Sequence, residues 1–159
     1  MTAPESERRQ PAREAQLWLS VPPDPRAGTQ VRRDVLAFAR EHGIADGDEL
    51  ADFVTAVGEA LANAIEHAHT TEPITIAMWL LGDDRLFVSV QDKGIGFRPV
   101  ERPIDSSLPD ALEERGRGLP IMQRCADIFS VSSAPGQGTR ITLGRYVHRA
   151  NKRLRHAAG

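Results

Sequence analysis

The amino-acid sequence predicts an α+β protein, a two-layer α/β sandwich in which a mostly antiparallel mixed sheet carries helices on one face. Helices and strands do not alternate along the chain. Two helical patterns come early and two β-hairpin patterns follow, which disfavours a doubly wound parallel fold. The chain has 159 residues, of which 40% are hydrophobic and 26% charged. That length and composition are typical of one folded domain.

The first half of the chain contains one strand pattern and two helix patterns. Leucine and valine alternate over residues 16–21, which is typical of an edge strand. Asp24 and Asp48 are placed to cap the two helices, which end at Gly43 and near His69. The apolar residues at helical spacing are Val31, Val35, Phe38 and Ala39 in the first helix, and Val54, Val57, Leu61 and Ile65 in the second.

The second half contains two hairpin patterns and a short helix pattern. Its strand runs are rich in β-branched and aromatic residues and are joined by short turns. Trp18, Trp79 and Phe87 all lie in strand patterns and are predicted to be core residues. A long stretch between the hairpins contains glycine and proline, and loops of that length are usually functional or disordered. The predicted strands are 74–81, 85–91, 129–133 and 139–147, and the predicted helix is 119–126.

All of these patterns fall within residues 16–147, which are predicted to form one domain between a disordered polar leader, 1–15, and a basic tail, 148–159. Lys and Arg total 20 against 22 Asp and Glu, so the net charge of −2 predicts no general attraction to nucleic acid or an anionic membrane. The sequence shows no signal-peptide pattern and no apolar run near the roughly 18 residues of a membrane span. The single cysteine, Cys125, excludes an internal disulfide. We therefore expect a cytoplasmic protein.

Four short motifs contain residues that could bind a ligand. Glu59 and Asn63 lie four residues apart on the second helix and therefore share a face. At a rotation of about 100° per residue, this face points away from the apolar stripe. Glycines in the other motifs allow close approach to the backbone, and one pair opens the short helix, whose free N–H groups favour an anion. Each motif alone is more typical of a solvated helix face or an ordinary turn. The motifs are Glu59-x-x-x-Asn63, Asp92-x-Gly94-x-Gly96, Gly116-x-Gly118 and Gly136-x-Gly138-Thr139.

In this order, the four motifs resemble those of the Bergerat ATP-binding fold, whose superfamily includes gyrase-type ATPases, histidine kinases and MutL. Residues 16–147 look most like the anti-sigma-factor serine/threonine kinases of the RsbW and SpoIIAB type, within the GHKL superfamily. The resemblance implies an ATP site with Mg²⁺ as its metal ion. The segments that carry it are VGEALANAIEHA, VSVQDKGIGF, RGRGLPIMQRCAD and PGQGTRI.

The resemblance also implies roles for the residues of the first two motifs. Glu59 is the expected general base, and Asn63 is the expected Mg²⁺ ligand. Asp92 is expected to accept a hydrogen bond from the adenine amino group, in a pocket shaped by Gly94 and Gly96. Phosphoryl transfer depends mainly on positioning and charge neutralisation, so this small set of groups is chemically sufficient.

The second glycine pair is expected to bind the phosphates beneath a mobile lid formed by residues 101–115. Its backbone N–H groups would reach phosphate oxygens and an arginine would meet the γ-phosphate, for which Arg115 and Arg117 are both candidates. Thr139 is expected to support the hydrogen-bond network around the adenine. The expected phosphate-binding residues are Arg115, Gly116, Arg117, Gly118 and Leu119.

By the same resemblance, the predicted function is that of an ATP-binding anti-sigma factor and serine/threonine protein kinase. Such a protein sequesters a sigma factor and phosphorylates an anti-sigma-factor antagonist of the STAS type. A homodimer is expected, with no direct contact to nucleic acid or membrane. The alternative is a nucleotide-dependent binding or switch module of the same fold that transfers no phosphate.

Overall fold

The structure, a computed structural model, describes residues 15–96 and 118–150, which form one sheet and three helices. The elements are β1 Leu17–Val21, α1 Ala27–Glu41, α2 Asp48–His67, β2 Ile74–Leu81, β3 Arg85–Asp92, α3 Gly118–Cys125, β4 Ile128–Ser133 and β5 Thr139–Tyr146. The strands lie in the order β1-β2-β3-β5-β4, and each of these neighbouring pairs is antiparallel. The predicted α+β class and the edge position of β1 are confirmed.

One face of the sheet packs against the three helices and forms the main core. Phe53, Val57 and Leu61 of α2 lie in this core and are at most 1% exposed. α3 packs along α2 and contributes Met122 to the same core. Because α2 contacts the sheet and both neighbouring helices, its buried surface is wider than the single stripe that the sequence predicts.

The other face of the sheet has no described helix against it. Trp79 and Phe87 stack there, with ring centroids 5.3 Å apart and planes 4° apart, and pack with Ala77 in a small separate cluster. Both aromatic side chains are buried, as predicted. Trp18 lies on the same face, on edge strand β1, and is 50% exposed, so its prediction as a core residue is wrong. Alternation assigns a residue to one face of a sheet, but only the tertiary packing determines whether that face is covered.

Local hydrogen bonds at the two ends of α1 explain where the helix begins and ends. The C-terminal end is a Schellman motif, in which Gly43 has a φ of +76° and the Ile44 N–H donates to Ala39 O at 2.9 Å. Gly43 therefore ends the helix as predicted. Asp24 caps the preceding turn rather than the helix, because its carboxylate accepts from the Arg26 N–H at 2.8 Å. A side-chain hydrogen bond from Arg26 also lowers the pKa of Asp24 to about 2.

The bounds of α2 differ slightly from the predicted ones. Gly47 occupies the N-cap position, so Asp48 is the first helical residue instead of the cap. Asp48 and Glu49 then place two carboxylates in the first turn, where the positive end of the helix dipole favours them. The helix ends at His67, two residues before the predicted His69.

The first residues of the predicted basic tail pair with the α1–α2 connection. The Ala45 N–H donates to His148 O, and the Ala150 N–H donates to Gly43 O, both at 2.8 Å. The remainder of the tail lies outside the described residues. None of the helices in the described ranges combines the length and the hydropathy that crossing a membrane would require.

Candidate functional site

α2 brings Glu59 and Asn63 to one face, one helical turn apart, but that face is not the solvated one expected from the sequence. Asn63 is only 5% exposed, and its neighbours Ala56 and Ala60 are fully buried. Glu59 is partly exposed and makes no hydrogen bond or ion pair with other described residues. The pair therefore combines a buried amide with a carboxylate that solvent can reach.

The side-chain amide of Asn63 lacks a hydrogen-bond partner. Its nitrogen is buried and unpaired within the described part of the chain. Leaving such a group unsatisfied costs about 1–3 kcal/mol, so a native exception calls for an explanation such as a ligand. Rotation of the amide exchanges its nitrogen and oxygen. The same position can therefore donate to a phosphate oxygen or supply an oxygen ligand to Mg²⁺, and the residue fits the metal that the resemblance implies.

A buried carboxylate lies at the end of β3. Asp92 is 2% exposed. Its Oδ1 accepts from the Gly94 N–H at 2.9 Å and from the Thr139 N–H at 3.3 Å. Both bonds are made to the same oxygen, and no described residue donates to Oδ2. Oδ1 thus accepts hydrogen bonds from the protein backbone, while Oδ2 can accept a hydrogen bond from a ligand.

The glycines of the second motif are required for close backbone packing. A Cβ on Gly94 would lie 2.3 Å from Ala68 O, just beyond the end of α2. Gly96 has a φ of +61°, and a Cβ there would lie 2.1 Å from Ala134 O in the β4–β5 turn. The loop after Asp92 is therefore held directly against both α2 and the β4–β5 turn, more closely than an ordinary solvated turn requires.

The turn between β4 and β5 meets the same loop from the other side. Gly138 has a φ of +74°, and a Cβ there would lie 2.1 Å from Asp92 O. Gly136 has a similar φ of +73°, but apart from its two chain neighbours no described residue has an atom within 4 Å of its Cβ position. We expect Gly138→Ala to lower the free energy of unfolding by about 2–4 kcal/mol, because it adds a steric clash to the cost of a left-handed residue. Urea denaturation would measure this loss.

Gly136→Ala is the matched control for that substitution. This substitution should lower the free energy of unfolding by about 1–2 kcal/mol, the cost of a left-handed conformation without a steric clash. Equal losses in the two variants would show that close packing against Asp92 is not what requires glycine at position 138.

The third motif is described only in part. Gly118 and Leu119 are the first residues of α3, which begins one residue before the predicted start. α3 packs along α2, the helix that carries Glu59 and Asn63. Arg115, Gly116 and Arg117 lie outside the described residues. The proposed lid, 101–115, and the choice between the two arginines lie there too.

The sequence analysis missed one polar residue at this end of the sheet. Ser133 ends β4, and its Oγ lies 2.8 Å from the Thr139 Oγ1. Thr139 is 3% exposed and pairs in register with Asp92. The signal was present in the chain, because two hydroxyl residues flank a predicted hairpin turn, where cross-strand neighbours come into contact.

Comparison with known proteins agrees with this geometry. Residues 21–145 match the family described as histidine kinase-like ATPase domain. An anti-sigma F factor of Caldanaerobacter subterraneus subsp. tengcongensis is 37% identical over 106 residues, which cover 64% of this chain and 73% of that relative. An anti-sigma F factor of Oceanobacillus iheyensis is 31% identical over 108 residues, covering 65% and 73%.

A solved structure has the same fold. It contains the RsbU and RsbW domains of Rv1364c from Mycobacterium tuberculosis, with a TM-score of 0.62 and 24% sequence identity. The match covers 85% of this chain and 33% of that one. The chain thus corresponds to about a third of the larger protein, and at this identity the likeness concerns the fold.

Proposed function

The chain belongs to the histidine kinase-like ATPase domain family, and from that membership we propose that it is an ATP-binding anti-sigma factor and a serine/threonine protein kinase. The buried amide nitrogen of Asn63, unpaired within the described part of the chain, is the observation that carries the nucleotide site, because a polar ligand beside α2 would satisfy it. Relatives named anti-sigma F factor, at 31% to 37% identity, support a sigma factor as protein partner.

Asp92 selects the base in this proposal. Its Oδ2 accepts a hydrogen bond from the exocyclic amino group of adenine. Guanine presents an oxygen at the same position, which would face a buried carboxylate without a proton between them. Gly94 and Gly96 let the pocket wall approach the base because neither carries a side chain.

Asn63 holds Mg²⁺ in this proposal, together with phosphate oxygens and water, since Mg²⁺ takes few protein ligands. When bound, Mg²⁺ neutralises charge on the phosphates. The backbone at the start of α3, at Gly118 and Leu119, faces the phosphates, with Arg115 or Arg117 at the γ-phosphate and the segment 101–115 as a lid.

Glu59 acts as the general base in the transfer step. A serine or threonine hydroxyl of the antagonist loses its proton to the Glu59 carboxylate as its oxygen bonds to the γ-phosphorus. The bond from the γ-phosphorus to its bridging oxygen breaks, and ADP leaves. The partial exposure of Glu59 supports this role because a protein substrate has to reach it.

We also propose the bounds of the domain, the class of its antagonist, its location in the cell and its oligomeric state. Residues 16–147 form the folded unit, the antagonist is of the STAS type, and the protein acts in the cytoplasm as a homodimer. The homodimer follows from the resemblance alone. Sedimentation equilibrium would measure the mass in solution, and a monomer at micromolar concentration would contradict the dimer.

Calorimetry and phosphate transfer test the central proposal. We expect the purified chain to bind ATP in the presence of Mg²⁺ and to bind GTP far more weakly. With γ-labelled ATP, label should pass to a serine or threonine of a STAS-type antagonist, and not to an antagonist whose acceptor residue is alanine. Binding of ATP and of a sigma factor without any transfer would favour the switch module. Absence of ATP binding would contradict both functions.

A further inference from the structure

Three polar side chains form a row across neighbouring strands at one end of the sheet. Asp92 of β3 is paired with Thr139 of β5, and Thr139 is paired with Ser133 of β4. Cross-strand partners point to the same face of a sheet. Val90 and Ile141 lie two residues from Asp92 and Thr139 on the same strands, so they point to the same face, and both belong to the main core. The row therefore lies on the face that the helices cover. The proposed function gives a role to Asp92, and the resemblance implies one for Thr139, but neither role involves Ser133.

The hydrogen bonds of Ser133 determine where the Thr139 proton points. The Ser133 Oγ lies 3.1 Å from Gly138 O and 2.8 Å from the Thr139 Oγ1. A carbonyl oxygen can only accept, so the first contact uses the one hydroxyl hydrogen of Ser133. Both contacts are satisfied only if the Thr139 hydroxyl donates to Ser133. The Thr139 oxygen then offers only lone pairs to any other group.

We propose that Ser133 is a positioning residue that sets the base specificity of the site by holding the Thr139 hydroxyl as an acceptor; this rests on the proposed ATP-binding function. Asp92 and Thr139 then present acceptors side by side. A 6-amino purine offers hydrogens to both, directly or through one water. A 6-oxo purine places an oxygen, which can only accept, at the position of that amino group, so the two acceptors disfavour it there.

Affinities for ATP and inosine triphosphate test the inference, because the base of the second carries a 6-oxo group in place of the 6-amino group. In Ser133→Ala, the Thr139 hydroxyl is free to turn and donate to a 6-oxo group. We expect the ratio of the two affinities to shift about tenfold toward inosine triphosphate. Ser133→Thr keeps a hydroxyl on a residue that suits a strand, and should retain the wild-type ratio. Ser132→Ala, at the preceding exposed position, is the control and should leave the ratio unchanged.

A double-mutant cycle separates positioning from a structural role. Thr139→Val removes the hydroxyl through which Ser133 acts, so adding Ser133→Ala to it should not change the ratio further. The inference is overturned if Ser133→Ala leaves the ratio unchanged, or if it weakens both nucleotides equally. It is also overturned if the two substitutions change the ratio independently. A wild-type protein that binds no adenine nucleotide contradicts the proposed function itself, whereas normal ATP binding with an unmoved ratio contradicts the role of Ser133 alone.

Discussion

Asn63→Ala is expected to abolish Mg²⁺-dependent ATP binding while leaving the free protein about as stable as the wild type. The wild-type amide is buried without a described partner. Its removal relieves a cost of about 1–3 kcal/mol, which offsets the small cavity left by the truncation. In the wild type, ATP at a hundred times its Kd should add about 2.7 kcal/mol to the free energy of unfolding. In the variant this gain should disappear.

Thermal unfolding with and without Mg²⁺ and ATP measures both effects. EDTA should remove the gain from the wild type and change nothing in the variant. Thr55→Ala, at an exposed position on the same helix, is the control and should keep the full Mg²⁺-dependent gain. If Asn63→Ala keeps that gain, Asn63 does not hold the metal. If the free variant instead loses more than about 2 kcal/mol, the amide has a structural role.

The burial of Asn63 marks the limit of what could be predicted from the sequence of this molecule. The four-residue spacing correctly placed Glu59 and Asn63 on one face of a helix. Helical periodicity alone, however, assigned that face to solvent, because the apolar stripe lies on the other side. α2 is packed by two helices as well as by the sheet, and packing against several elements is not encoded in the period of one helix.

The strands show the same division between local and tertiary information. Runs of β-branched and aromatic residues joined by short turns predicted both hairpins to within a residue or two, since strand propensity and turn chemistry are local properties. The strand pattern around Trp18 could not indicate that no described helix covers the face of the sheet on which this side chain lies. The contact of Ser133 with Thr139 depends on the register across the β4–β5 turn, for which the two hydroxyl residues flanking that turn are the signal in the sequence.

Glu59→Gln is expected to lower phosphate transfer to the antagonist by about 10²–10⁴-fold, the usual contribution of a general base. Glutamine keeps the size and hydrogen-bonding capacity of the side chain but cannot take the proton from the attacking hydroxyl. The wild-type carboxylate makes no bond to other described residues, so the fold should not depend on it. Nucleotide affinity should therefore stay within about threefold of the wild type, since the loss belongs to the transfer step alone.

Single-turnover transfer from γ-labelled ATP, at saturating nucleotide and antagonist, measures the chemical step for this variant. Glu66→Gln is the matched control, because it makes the same chemical change at an exposed position two turns further along α2. It should transfer phosphate at the wild-type rate. An unchanged rate in Glu59→Gln would remove the Glu59 carboxylate from the transfer step. Equal losses of affinity and rate would instead make Glu59 a binding residue, whose contact with the nucleotide is already formed before transfer.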